Sequence, residues 1–228
     1  MSKMALRKRR LIELGAGRVP VESFRRAQRR KKNDYLLIDK EPTDFAALRK
    51  LGQRTGVGRN VATIEGDAIV ELSKMEPESK DIIYGGYITN NMALPENEAL
   101  GRAKSLMRFS LIKAACVALK TNGRMLFIQN RNEVEPLRRA ATGAGLTFYS
   151  RELTEKEAKT SWSLEARIRA THKKRQTRVR EVARMQGKDP REFEGREDEL
   201  KPTLIIMTKR KKPSIMSRIR QVTKNTTN

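Results

Sequence analysis

The chain has 228 residues, with 50 Lys+Arg against 27 Asp+Glu, a formal net charge of +23 and a single cysteine. That length buries a core without cross-links or metals, and one cysteine, Cys116, excludes an internal disulfide and any cysteine-built zinc site. Such an excess of cations repels itself unless a polyanion is near. It points to nucleic acid ahead of an anionic membrane, because no basic helix carries the Trp/Phe face of an interfacial anchor.

In chain order, RLIEL (10–14) is a short apolar run ending at glycines and reads as a buried parallel strand. Pro20 stands where a helix can start without losing a hydrogen bond, and VESFRRAQRRKK continues as a basic helix with Phe24 and Ala27 inward. DYLLID (34–39) is a second strand, and DFAALRKLGQRTG (44–56) a helix with Phe45, Leu48 and Leu51 on one face. NVATIEGDAIVEL (60–72) reads as a third strand turning at Gly66-Asp67, and DIIYGGYI (81–88) as a fourth. The longest helix is expected over 96–123, closed by Asn122-Gly123, with Leu106, Phe109, Ile112, Cys116 and Leu119 packing inward. RMLFIQ (124–129), a helix over 133–146, TFYSREL (147–153) and PTLIIMTKR (202–210) complete the series.

Strands alternating with helices imply right-handed βαβ units. The expected fold is α/β: a Rossmann-like, seven-stranded, mostly parallel sheet with helices on both faces. It would span 1–153 and 202–210, interrupted by a charged helical insertion over 154–201 and followed by a basic, flexible tail over 211–228. Within the insertion, residues 166–184 carry eight Lys/Arg and one acid, Glu181. The basic N-terminus runs into a glycine turn rather than an apolar stretch, and no run reaches the length of a membrane span. The chain therefore reads as soluble and intracellular, in the cytoplasm or an organelle matrix.

In open α/β sheets the ligand crevice lies beyond the carboxyl ends of the strands. Gly15 and Gly17 follow strand one, Asp39 ends strand two, Asp67 follows strand three, and Gly85, Gly86 and Tyr87 end strand four. Glycines admit a ligand against the backbone. An aspartate ending strand two can accept both hydroxyls of a ribose, and a carboxylate after strand three can accept an adenine amino group. An adenosine ligand fits this set. A dinucleotide, as in a nicotinamide-dependent oxidoreductase, fits it only weakly, because Pro20 stands where the third glycine of G-x-G-x-x-G belongs and offers a pyrophosphate no N–H.

Glu13-Leu14-Gly15-Ala16-Gly17 after a strand, the acid ending strand two and the acid after strand three together resemble class I S-adenosylmethionine-dependent methyltransferases. The resemblance covers about 9–153 plus 202–210, with Val19 standing where many members have a third glycine. It implies S-adenosylmethionine as cofactor, with Glu13, Gly15, Ala16 and Gly17 along its methionine part, Asp39 on its ribose, and Asp67 and Ala68 at its adenine. Tyr84, Gly85, Gly86 and Tyr87 would border the site of methyl transfer. The Asn/Asp-Pro-Pro-Tyr/Phe stretch of amino-methylating adenine enzymes is absent at strand four, as is the Phe-Pro-Asp-Pro-Trp-like stretch of tRNA guanine-N7 methyltransferases. The subfamily stays open.

Methyl transfer needs an aligned nucleophile more than a dedicated acid or base, and no His/Cys constellation or metal-ligand spacing is visible. Cys116 reads as core, and His172 as a solvated or phosphate-facing residue. The cations expected on nucleic acid are Arg167, Arg169, Lys173, Lys174, Arg175, Arg178 and Arg180, with Lys209, Arg210, Lys211 and Lys212 in the C-terminal segment. The functional expectation is methylation of ribosomal or transfer RNA, with the ribosome or its subunit a further partner and no metal or membrane involved. The alternative is a non-catalytic RNA- or ribosome-binding protein on the same fold.

Overall fold

A computed structural model describes residues 9–15, 33–39, 61–86, 98–161, 164–185, 187 and 189–210. The two helices expected after strands one and two, Ala16, Gly17, Tyr87, Trp162 and the tail from 211 lie outside the described residues.

Seven strands form one sheet: β1 Arg10–Leu14, β2 Asp34–Asp39, β3 Val61–Glu65, β4 Lys80–Gly86, β5 Leu119–Asn130, β6 Leu146–Glu152 and β7 Pro202–Lys209. Their spatial order is β3-β2-β1-β4-β5-β7-β6. β1 to β5 pair in parallel, while β7 runs antiparallel between β5 and β6. The sequence of connections reverses direction between β1 and β4, which makes that pair the switch point. Its register sets Glu13 beside Tyr84 and Leu14 beside Gly85.

Alternation along the strands sends side chains to opposite faces. Ile12, Leu14, Ile38, Ile83, Met125, Phe127, Ile205 and Met207 form the main core. Three helices cover that face: α1 Ala68–Ser73, α2 Glu98–Ala118 and α3 Val134–Gly143. On the other face Leu11, Tyr35 and Leu37 cluster with Ile82 and Tyr84. Between β6 and β7 the chain folds as α4 Glu155–Lys159, α5 Leu164–Ile168, α6 His172–Met185 and two single 3₁₀ turns. Ala166 of α5 packs on Ile128 and Leu204, so the insertion sits on the face opposite α1–α3.

Three expectations need correction. The apolar stretch Ala68–Leu72 is helix, not strand, because Asp67 accepts the N–H of Ile69 at 2.8 Å and of Val70 at 3.2 Å and so starts a helix. α2 ends at Ala118, and Lys120–Gly123 belongs to β5. Asn122 has φ 65, and the pairing of β4 with β5 shifts register between Lys80 and Ile82, so the turn signal marks a bulge at a strand entrance. A Cβ at Gly123 would lie 2.8 Å from the Lys120 carbonyl oxygen, which is why glycine stands there. Finally, Leu106 and Phe109 are 69% and 39% exposed. Nine residues separate Leu106 from buried Ala115, a rotation of about 180° on a helix, so both cannot face the sheet. Phe109 instead lies against Gly143 of α3. Ile112 and Leu119 are buried as expected, and Cys116 packs on the core with its thiol 3.6 Å from the Ala144 carbonyl.

The candidate cofactor crevice and the cationic insertion

The carboxyl ends of β1 to β4 meet at one edge of the sheet. Gly15 follows β1 with φ 60, a left-handed conformation that a side chain strains, and its N–H donates to the Ile38 carbonyl at 2.9 Å. One strand over, the Gly66 N–H donates to the Asp39 carbonyl at 2.7 Å. These bonds tie the loops leaving β1 and β3 to the end of β2. Across the switch point, Gly85 pairs with Leu14 and is buried. Both walls of the crevice, at Gly15 and at Gly85-Gly86, thus lack a Cβ.

Glu13 and Asp39 are both half-buried, and by strand alternation they project from the same face of the sheet. A carboxylate therefore stands on each of two adjacent strands beside the glycines. Asp67 also acts locally, since one of its oxygens caps α1, and Ala68 is the first residue of that helix. Both remain at the crevice edge through Gly66. Tyr84 sits one register step inside, with its ring against the Leu11, Tyr35 and Leu37 cluster, so its first role is packing. Gly85 and Gly86, not Tyr84, form the described rim of β4.

The far end of β5 reaches the same edge and carries groups that sequence reasoning missed. Gln129 is fully buried, with neither side-chain polar atom hydrogen-bonded to a described residue, and Asn130 is 2% exposed and accepts from Arg169 Nη1 at 2.6 Å. Next to them Arg108 of α2 holds Glu133 through two bonds of 2.8 and 2.6 Å. A run of polar residues at the end of an apolar strand, QNRNE, was the available signal.

The fold formed by this sheet order and crevice has known counterparts. Geranyl diphosphate C-methyltransferase from Streptomyces coelicolor, solved with S-adenosyl-L-homocysteine, superposes with a TM-score of 0.57 at 12% identity, covering 90% of this chain and 73% of its own. An S-adenosylmethionine-dependent methyltransferase from Methanosarcina mazei gives 0.53 at 11% identity, over 90% and 94% of the two chains. The cyclase SpnF gives 0.58 at 13% identity, over 89% and 75%. The fold is that of class I methyltransferases. No protein-family model and no curated protein matches the sequence.

On this methyltransferase fold the insertion sorts its cations into two groups. Arg167 donates to the Ser161 carbonyl at 2.6 Å. Arg169 is 3% exposed and bound to Asn130. Arg175 is 8% exposed and donates to the Arg169 carbonyl at 3.3 Å, and Arg178 pairs with Glu181 at 3.0 Å. These four guanidiniums thus have acceptors within the chain: Arg169 and Arg175 are buried, where a desolvated cation needs a local acceptor, while Arg167 and Arg178 are half-buried. Lys173, Lys174 and Arg180 are exposed, as is Arg184. Lys209 is bound to the Leu119 carbonyl at 2.8 Å and to Glu78 at 3.2 Å. Because β7 is antiparallel, Lys209 and exposed Arg210 lie at the edge where the parallel strands begin, away from the crevice. Lys211 and Lys212 are outside the described residues. No described helix is long and apolar enough to cross a membrane.

Proposed function

We propose that the chain is an S-adenosylmethionine-dependent methyltransferase that acts on RNA, ribosomal or transfer. The observation that carries the first half is the crevice with no Cβ on either wall and two carboxylates on adjacent strands. Its chemistry suits the cofactor: Gly15 admits an aminocarboxypropyl chain against the backbone, and Asp39 offers two oxygens to the two hydroxyls of a ribose. Asp67 and Ala68 stand one strand further along, where the adenine would reach. The bound cofactor supplies a methyl group on a sulfonium, already electrophilic. The protein's part is to orient the acceptor in line with it and to exclude water, and the rim at Gly85-Gly86 leaves room for a planar base to approach.

The RNA half rests on charge rather than on the structural neighbours, one of which is named for geranyl diphosphate. A net charge of +23 with a cluster of exposed cations on the insertion favours a polyanionic substrate. A fold does not fix a reaction, and the neighbour SpnF is a cyclase. The deciding experiment compares nucleosides from total RNA of cells with and without the gene by mass spectrometry. One methylated nucleoside should disappear from ribosomal or transfer RNA and return on complementation. Identical profiles would leave the alternative, a non-catalytic RNA-binding protein on this fold.

A further inference from the structure

α6 runs from His172 to Met185 and has two sharply different sides. Arg175, Val179 and Ala183 recur every four residues and are 8%, 7% and 0% exposed, with Val179 and Ala183 packed on Leu200. On the other side, Lys173, Arg180 and Arg184 are exposed, and none of their side chains forms an ion pair or hydrogen bond with a described residue. At 100° per residue these three fall within about 40° of one another, and at 1.5 Å per residue they span about 16 Å. Thr177 lies in the same stripe, and Lys174 flanks it. The chain thus presents a straight cationic ridge, while the neighbouring Arg169 and Arg175 are turned inward and Arg178 is paired with Glu181.

That ridge is fixed relative to the crevice. Arg175 donates to the Arg169 carbonyl, and Arg169 donates to Asn130 at the carboxyl end of β5. Asn130 lies two residues beyond Ile128, which pairs with Gly86 on the crevice rim. Two buried guanidiniums therefore bolt the helix to the strand end nearest the candidate methyl-transfer site.

We propose that Lys173, Arg180 and Arg184 form a phosphate-tracking ridge that lays the RNA backbone alongside the crevice, with Arg169 and Asn130 as the residues that position it. The inference rests on the RNA-methyltransferase reading, and it removes Arg167, Arg169, Arg175 and Arg178 from the contact surface while adding Arg184. Aliphatic stems with charged heads in one line suit a repeated anion rather than a base edge, so the contribution is affinity without sequence preference. Each phosphate neutralised adds about 0.9 to the slope of log affinity against log salt for a duplex and about 0.7 for a single strand.

The test measures binding of a fluorescently labelled RNA duplex of generic sequence across a salt series, for the intact protein and a variant carrying Lys173→Gln, Arg180→Gln and Arg184→Gln. The salt slope should fall by about 2 to 3 in the variant. A control with Arg138→Gln and Arg139→Gln, on the far face of the sheet, should leave it within about half a unit. S-adenosylmethionine titration of each variant, unchanged from the parent, shows that the fold and crevice are intact. A slope unchanged in the triple variant overturns the ridge. If that variant still methylates RNA, the functional reading stands without it. An intact protein that binds the cofactor but shows no salt-dependent RNA binding overturns both. Loss of binding to phosphatidylserine vesicles, with RNA binding kept, would reassign the ridge to a membrane surface and so also overturn it.

Discussion

Asp67 shows how one side chain can satisfy a local rule and a functional one at once. Its carboxylate accepts two N–H groups at the start of α1, a cap worth about 1 kcal/mol. The proposed adenine contact would need the same residue. Asp67→Ala removes both roles, and Asp67→Ser keeps a capping oxygen while removing the negative charge. Urea unfolding should place Asp67→Ala about 1 kcal/mol below the parent and Asp67→Ser within about 0.5 kcal/mol. Cofactor affinity that falls in both variants assigns Asp67 to the adenine, whereas affinity that survives in Asp67→Ser confines it to the cap. From the sequence, Asp67 was visible only as a turn residue or ligand. The cap was hidden because Ala-Ile-Val-Glu-Leu reads as a strand, and a helix as short as Ala68–Ser73 shows too little of the 3.6-residue period to correct that. The glycines after β1 and in β4 were legible for the opposite reason: parallel strands buried on both faces are unbroken apolar runs, and their ends announce the crevice.

At the level of elements, α4 is a self-contained case whose pH response can be worked out. Thr154 and Glu157 form a reciprocal capping box, and Glu157 also accepts from Arg151 Nη1 and Nη2 at 2.9 and 2.7 Å. The Arg151 guanidinium first, then the Thr154 N–H and hydroxyl, lower the Glu157 carboxyl from 4.5 to about 2. A carboxyl lowered in the folded state stabilises it fully above the unfolded value and loses that effect as the pH falls through the folded one. The difference in melting temperature between the parent and Glu157→Gln should therefore be constant above about pH 5. It should shrink steadily between about 4.5 and about 2. A difference independent of pH across that interval would show that the pair with Arg151 does not persist in solution. Sequence reading passed over this box, although Thr-Glu-Lys-Glu matches the capping-box pattern before a helix. The end of α2 was not legible in the same way, since Asn-Gly after an apolar stretch marks a helix stop and a bulged strand entrance equally well. Which cations of α6 face inward was hidden for a related reason. Arginine occupies one place in the buried Arg175-Val179-Ala183 stripe, so the apolar period is masked by a charge.

For the whole molecule, the sheet order and its switch point place a candidate crevice at one edge, and the insertion is tied to that edge through Arg175, Arg169 and Asn130. On the proposed reading, charge and crevice belong to one arrangement: an adenosine ligand would be held by β1, β2 and β3, and a polyanion guided past β4 and β5. Composition points to a polyanion and strand-end residues to an adenosine, whereas the tie between insertion and crevice edge, through Arg169 and Asn130, is visible only in the three-dimensional structure. The arrangement depends first on the crevice taking up S-adenosylmethionine. Isothermal titration of the folded protein with S-adenosylmethionine tests this most directly, with Asp39→Ala, still folded by circular dichroism, as the comparison. Saturable binding at one site, weakened at least about tenfold in Asp39→Ala by loss of the charge-assisted bonds to the ribose, is the expected result. No heat and no saturation from the intact, folded protein would contradict it.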